Sequence, residues 1–192
     1  MATFSVVVST LALAVSIVTA WLTLLRRGTL RMTQPAVIMF GPDKGGSPQI
    51  YVRTLLYSTG RRGQLIENMF LKVRRGESVQ NLNFWFHGES LDGLPRGSGL
   101  FVPEGGITLY HSFKLPSAKF EILPGEYILE TCASLVGRSI PLVLYKVVLT
   151  VDSQQAASIG AGDGLFFDWG PDSRKYHPRI EKKPEARIPG LK

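Results

Sequence analysis

The sequence predicts an N-terminal transmembrane α-helix, then an all-β, two-layer antiparallel sandwich, then an irregular basic C-terminal tail. Three observations carry this prediction. Residues 4–25 hold no charge, and 22 residues at 1.5 Å each span roughly 33 Å, enough for a hydrocarbon core. Beyond them, short runs rich in β-branched and aromatic residues are broken by Gly, Pro and Asp turns, with no long 3.6-residue period. The formal charge of +7 is uneven: Arg26 and Arg27 follow the apolar run, and Arg174, Lys175, Arg179, Lys182, Lys183, Arg187 and Lys192 face only Glu181 and Glu185. Charges from 28 to 173 cancel. The expected units are an anchor at 4–25, a juxtamembrane linker at 26–34, a β-sandwich domain at 35–152, and a linker, aromatic segment and basic tail at 153–192.

The first element reads as an uncleaved anchor. Met1-Ala2-Thr3 offers no cationic region for a secretory signal, and Trp21-Leu22-Thr23-Leu24-Leu25 carries the apolar run past the small residues Val18-Thr19-Ala20. A buried core helix is rarely apolar on every side for this length. Arg26, Arg27 and Arg31 flank only the C-terminal end, so the positive-inside rule places the domain on the cytoplasmic face, with the periplasmic or extracellular face as the alternative. Within the span, Ser5, Ser9, Ala12, Ser16, Thr19 and Thr23 recur at spacings of four and three. Such a stripe lets helices approach closely in lipid and makes self-association, or docking to another membrane helix, an expectation. The competing reading is that these hydroxyls bond their own i−4 carbonyls.

Eight strands are expected, at 36–40, 50–58, 66–74, 79–87, 99–103, 107–115, 126–135 and 141–151. Alternation assigns their faces. Met69, Leu71 and Val73 point inward; so do Leu82, Phe84 and Phe86, which leaves Trp85 and His87 outside. Ile107, Leu109, Phe113 and Leu115 are expected core, as are Val143, Tyr145, Val147, Leu149 and Val151.

Chemistry-bearing motifs are sparse. The single cysteine, Cys132, forms no internal disulfide or thiolate cluster, and its neighbours make it a structural thiol. His111 lies on an apolar row and reads as a core histidine; His177 falls in the tail. His87, Glu89 and Asp92 would be the nucleus of a metal site or hydrolytic centre, but a polar loop is the better reading. Gly160-Ala161-Gly162-Asp163-Gly164 has no lysine after it and reads as a linker, not a phosphate loop. No catalytic residue, metal or cofactor is assigned. Nucleic acid is not an expected partner, because the domain is neutral and the pairs Arg61-Arg62 and Arg74-Arg75 should fall at opposite ends of a sheet.

What remains is contact chemistry. The segment Leu165-Phe166-Phe167-Asp168-Trp169 is aromatic and should dock, either back on the sandwich or on a partner. Trp85, Phe166, Phe167 and Trp169 are therefore the candidate partner-binding residues. Arg26, Arg27, Arg31, Arg61 and Arg62 are the candidate membrane-surface residues. The expected function is a membrane-tethered, non-enzymatic interaction or scaffolding module. The alternative is a lipid-headgroup or small-ligand binding domain, and a hydrolytic enzyme ranks third.

Two resemblances add to this. Leu123-Pro124-Gly125-Glu126-Tyr127-Ile128-Leu129 resembles the corner of immunoglobulin-like Greek-key domains, where a tyrosine bonds back to upstream backbone; Tyr127 would be that residue. The paired cysteines and core tryptophan of that family are absent, so the resemblance implies a fold and no activity. Arg53-Thr54-Leu55-Leu56-Tyr57-Ser58-Thr59, Arg96-Gly97-Ser98-Gly99-Leu100-Phe101-Val102 and Phe167-Asp168-Trp169-Gly170-Pro171-Asp172 are similar to segments of uncharacterised bacterial single-span membrane proteins. That likeness implies a tethered domain and supplies no activity.

Overall fold

The computed structural model describes residues 2–21, 28–42, 47–89, 94–114 and 121–182. Helix α1 (Ala2–Ala20) is 19 residues long. Its window Thr3–Ala20 has mean hydropathy 2.0 and no side chain buried, so the helix is long and apolar enough to cross a membrane. The remainder of the expected span, 22–25, lies outside the described residues.

The rest is an antiparallel two-sheet sandwich. Strands β1 (Leu30–Met32), β2 (Val37–Pro42), β3 (Pro48–Ser58), β4 (Gln64–Arg75), β5 (Ser78–Leu82), β6 (Phe84–Gly88), β7 (Leu100–Val102), β8 (Ile107–Lys114), β9 (Gly125–Leu135) and β10 (Leu142–Val151) come first. Helix α2 (Ser153–Gly160), β11 (Gly164–Gly170) and β12 (Lys175–Glu181) follow. One sheet runs β12-β11-β2-β3-β8-β6, with β1 beside β3; the other runs β10-β9-β4-β5, with β7 beside β4. Between them pack Phe40, Ile50, Leu56, Trp85 and Phe113 from the first sheet, and Met69, Leu71, Val73, Tyr127, Leu129 and Val151 from the second.

Expectations about faces on two strands need correcting. The expected strand 79–87 is two strands, because at Asn83 the chain leaves one sheet for the other. Changing sheets resets which parity faces the core. Leu82 is buried as expected, but Trp85 is inside, 1% exposed, and Phe84 and Phe86 face outward, half-buried. On β10 the pairing with β9 slips between Val143 and Tyr145. The extra residue turns Val143 out, while Tyr145, Val147, Leu149 and Val151 keep the inner row. Leu115 lies outside the described residues.

The strands also continue past 152, through the segment expected to be irregular. Asp152 caps α2 by accepting from the Gln155 amide at 2.8 Å, and the Gln155 side chain accepts from the Asp152 amide at 3.0 Å. That reciprocal pair satisfies two donors the helix start would leave open. β11 then inserts between β2 and β12, with Leu165 opposite Phe40 and Ile180. β1 falls in the expected linker, and its start sits against Ser58. Residues 183–192 of the basic tail lie outside the described residues.

Candidate functional site

The aromatic residues expected to meet a partner are mostly turned inward. Trp85 stands opposite Phe113 on the inner face, and its indole N–H donates to His111 Nδ1 at 3.1 Å. Gly97 lies so close to the indole ring that a Cβ there would overlap it. Phe167 is 2% exposed and meets Phe40 edge to face at 5.5 Å. Phe166 points out beneath the Arg179 guanidinium, 4.7 Å from its ring centre, and Arg179 is held by Asp168 and Glu181. Trp169 is half-buried, edge to face with Tyr176 at 5.1 Å, and the Tyr176 hydroxyl donates to the Pro35 carbonyl at 2.8 Å. The aromatic segment therefore docks on its own sandwich. Trp85 is corrected from a contact residue to a core residue.

Two of the three histidines meet on the inner face of β6 and β8, where His87, expected outside, stands opposite His111, while His177 is exposed on β12. Burial, and less strongly His87, pushes His111 down to about 3; burial also lowers His87. Both are neutral near pH 7, and His111 Nε2 is buried without a hydrogen-bond partner. Among the described residues, no three of His, Cys, Asp and Glu gather where a metal ion could be held. Asp92 lies outside them.

Tyr127 is bonded back to upstream backbone. Its hydroxyl donates to the Leu123 carbonyl at 2.7 Å and accepts from the Leu123 amide at 2.9 Å. Along α1, Ser9 and Ser16 donate to the carbonyls of Ser5 and Ala12, both at 2.9 Å, so those hydroxyls are engaged within their own helix. Thr19 is in α1 as well; Thr23 lies outside the described residues.

The arginines divide as expected. Arg61 and Arg62 are exposed in the β3–β4 connection, whose Ser58 accepts and donates locally, including to the Arg62 carbonyl at 2.8 Å. Arg31 is exposed on β1 nearby, because Leu30 pairs with Ser58 and Gln64 reaches the Gly28 carbonyl at 3.1 Å. Arg75 is at the other end, bonded to the Pro124 carbonyl. Arg26 and Arg27 lie outside the described residues.

Sequence reasoning missed the feature that is most open to a partner. Each sheet has two outer edges, and three of the four are guarded. β12 carries Pro178 among charged residues. β6 is short, and its free side bridges to Arg96 through Phe86. The β5 and β7 side is made of strands of five and three residues. β10 differs: ten residues, LVLYKVVLTV, with one charge and, among the described residues, β9 as its only strand partner. Beside it runs a cleft of about 450 Å³, lined by Tyr145, Val147, Phe167, Trp169, Tyr176 and Lys175 among others. The apolar run LVLYKVVLTV reads the same in a paired strand, so the sequence alone did not mark this edge as open. No family model, no curated protein and no solved structure matches the chain.

Proposed function

We propose that this chain is a membrane-tethered, non-enzymatic interaction module that captures an extended, apolar segment of a protein partner along β10. The observation that carries the reading is the open edge of Leu142–Val151 beside an aromatic-lined cleft. A strand added there gains main-chain hydrogen bonds from the edge, and its alternate side chains enter the cleft over Tyr145, Trp169 and Tyr176. Helix α1 keeps the module at the bilayer, and Arg26, Arg27 and Arg31 favour the cytoplasmic face. The Tyr127 corner supports an immunoglobulin-like reading of the sandwich.

The test uses the full chain in lipid nanodiscs and a set of extended ten-residue apolar peptides, followed by hydrogen exchange. A bound peptide should slow exchange of the amides from Tyr145 to Val151 on the order of tenfold or more, with β5 and β12 unchanged. Trp169→Ala should weaken the binding. Binding that leaves β10 exchanging at its free rate, or no binding across the set, overturns the proposal.

A further inference from the structure

The end of the sandwich nearest the anchor carries side chains that the fold leaves bare. On the outer face, Phe101 of β7 stands opposite Leu65 of β4, and the Val136 amide donates to the Leu65 carbonyl at 3.0 Å. Phe101, Leu65 and Val136 thus form one row across three neighbouring segments, 60%, 49% and 58% exposed. Ile140, in the β9–β10 turn beside them, is 79% exposed. A cluster of large apolar groups at one end of a domain marks a contact surface.

The chain path says what covers it. Gly28 meets the β3–β4 connection at this end, and seven residue steps separate it from Trp21. At full extension these reach at most about 25 Å. The opposite end is much farther away: Leu30 pairs with Ser58, whereas Gln49, nine residues back along the same strand, pairs with Gly41, roughly 30 Å distant. A bilayer crossed by α1 is therefore held within about 25 Å of the bare end. The polar groups there are those of an interface: Arg31, Arg61, Arg62 and Arg138 are exposed, against Glu67 and Glu104. Trp21, 55% exposed, closes the helix on the same side.

We propose that the sandwich seats end-on in the membrane its own helix crosses, with Phe101, Leu65, Val136 and Ile140 entering the headgroup–acyl boundary and Arg61, Arg62 and Arg138 meeting lipid phosphates. The proposal rests on α1 being a membrane anchor, not on what β10 binds. The seat fixes the height and tilt of the domain, and β10, which starts at the Ile140 turn, rises from the bilayer.

The test places one environment-sensitive fluorophore on the full chain in vesicles of zwitterionic lipid with bromines on the acyl chains. The sites are Phe101→Cys, Ile140→Cys, Glu77→Cys at the opposite end, and Val15→Cys in α1, each in a Cys132→Ser background. Should that background fail to fold, the native thiol can stay, because Cys132 is buried and burial pushes its pKa up, which slows labelling. The seat requires blue-shifted, bromine-quenched emission at 101 and 140 and solvent-like emission at 77. Solvent-like emission at 101 and 140 with quenching at 15 overturns the seat and leaves the anchor intact. Loss of quenching at 15 overturns the anchor itself. Adding anionic lipid should deepen quenching at 140, and Arg61→Gln with Arg62→Gln should remove that increment; an increment unchanged in the double variant overturns the assigned role of the arginines.

Discussion

The outer face of the β12–β6 sheet and the anchor-side end of the molecule handle exposed aromatic groups in opposite ways. On the sheet, four outward rings have a cation over them. Arg96 lies 4.7 Å from the Phe84 ring centre, Lys114 4.9 Å from Phe86, Arg53 5.2 Å from Tyr110 and Arg179 4.7 Å from Phe166. The aliphatic stems cover the ring and the charged heads stay in water. At the anchor-side end no such lid sits on Phe101 among the described residues. Four lidded rings on the sheet and a bare Phe101 at the anchor-side end are the contrast that the proposed membrane seat would explain.

The largest effect that can break this contrast lies beneath it. Two tryptophans that look alike in the sequence differ in depth, Trp85 inside the core and Trp169 at the rim of the cleft. Trp85→Ala should cost about 3–5 kcal/mol, from a cavity and from the unpaired acceptor left on His111. Trp169→Ala should cost about 1–2 kcal/mol. Urea unfolding followed by far-ultraviolet circular dichroism measures both, and equal losses would place Trp85 outside, as the alternation reading had it.

That error shows where the sequence stops being legible. Seven of the eight expected strands were readable from turn residues and alternation, because glycines such as Gly125, Gly137 and Gly76 break the chain where φ is positive. Alternation gives parity within a strand and says nothing of a change of sheet. In Leu82-Asn83-Phe84-Trp85-Phe86 both parities are apolar enough to be inside, so only the crossing at Asn83 decides. β12 was unreadable for another reason: as an outer edge it is mostly exposed, with Pro178 and three charged residues. Helix α2 was missed although Asp152-x-x-Gln155 is a capping signal, because the glycine run after it reads as linker. The candidate site fared worse than the fold. An open edge is defined by which neighbour is missing, and no local pattern in β10 records that.

A smaller effect, set by pH, reports on the same interior. His111 binds a proton near 6.5 in the unfolded chain and only near 3 in the fold. Between those values the unfolded state holds the extra proton, so stability falls as pH drops below about 6.5 and is fully present above it. His87, lowered in the same sense by burial, adds to the loss. The slope should be on the order of 1 kcal/mol per pH unit. Glu130, held low first by its hydrogen bond from Lys146, adds a loss only below the usual carboxylate range. Urea midpoints between pH 7 and pH 5 therefore isolate the histidines. His111→Gln should flatten the slope, and an unchanged slope would mean that His111 is not buried against Trp85.

The smallest effects bear directly on lidded and bare rings. Arg96→Gln removes the cation over Phe84 and should cost about 0.5–1 kcal/mol. Phe101→Ser deletes a larger, apolar side chain, yet should change the unfolding free energy by no more than about 0.5 kcal/mol, because the fold gives that ring so little to pack against. The order matters more than the values. Side-chain size alone ranks Phe101→Ser as the costlier change, and only the ring's 60% exposure reverses the ranking. If urea midpoints show Phe101→Ser to be the more damaging, the ring is already engaged by the protein. The bare end would then have no surplus apolar surface to offer a bilayer.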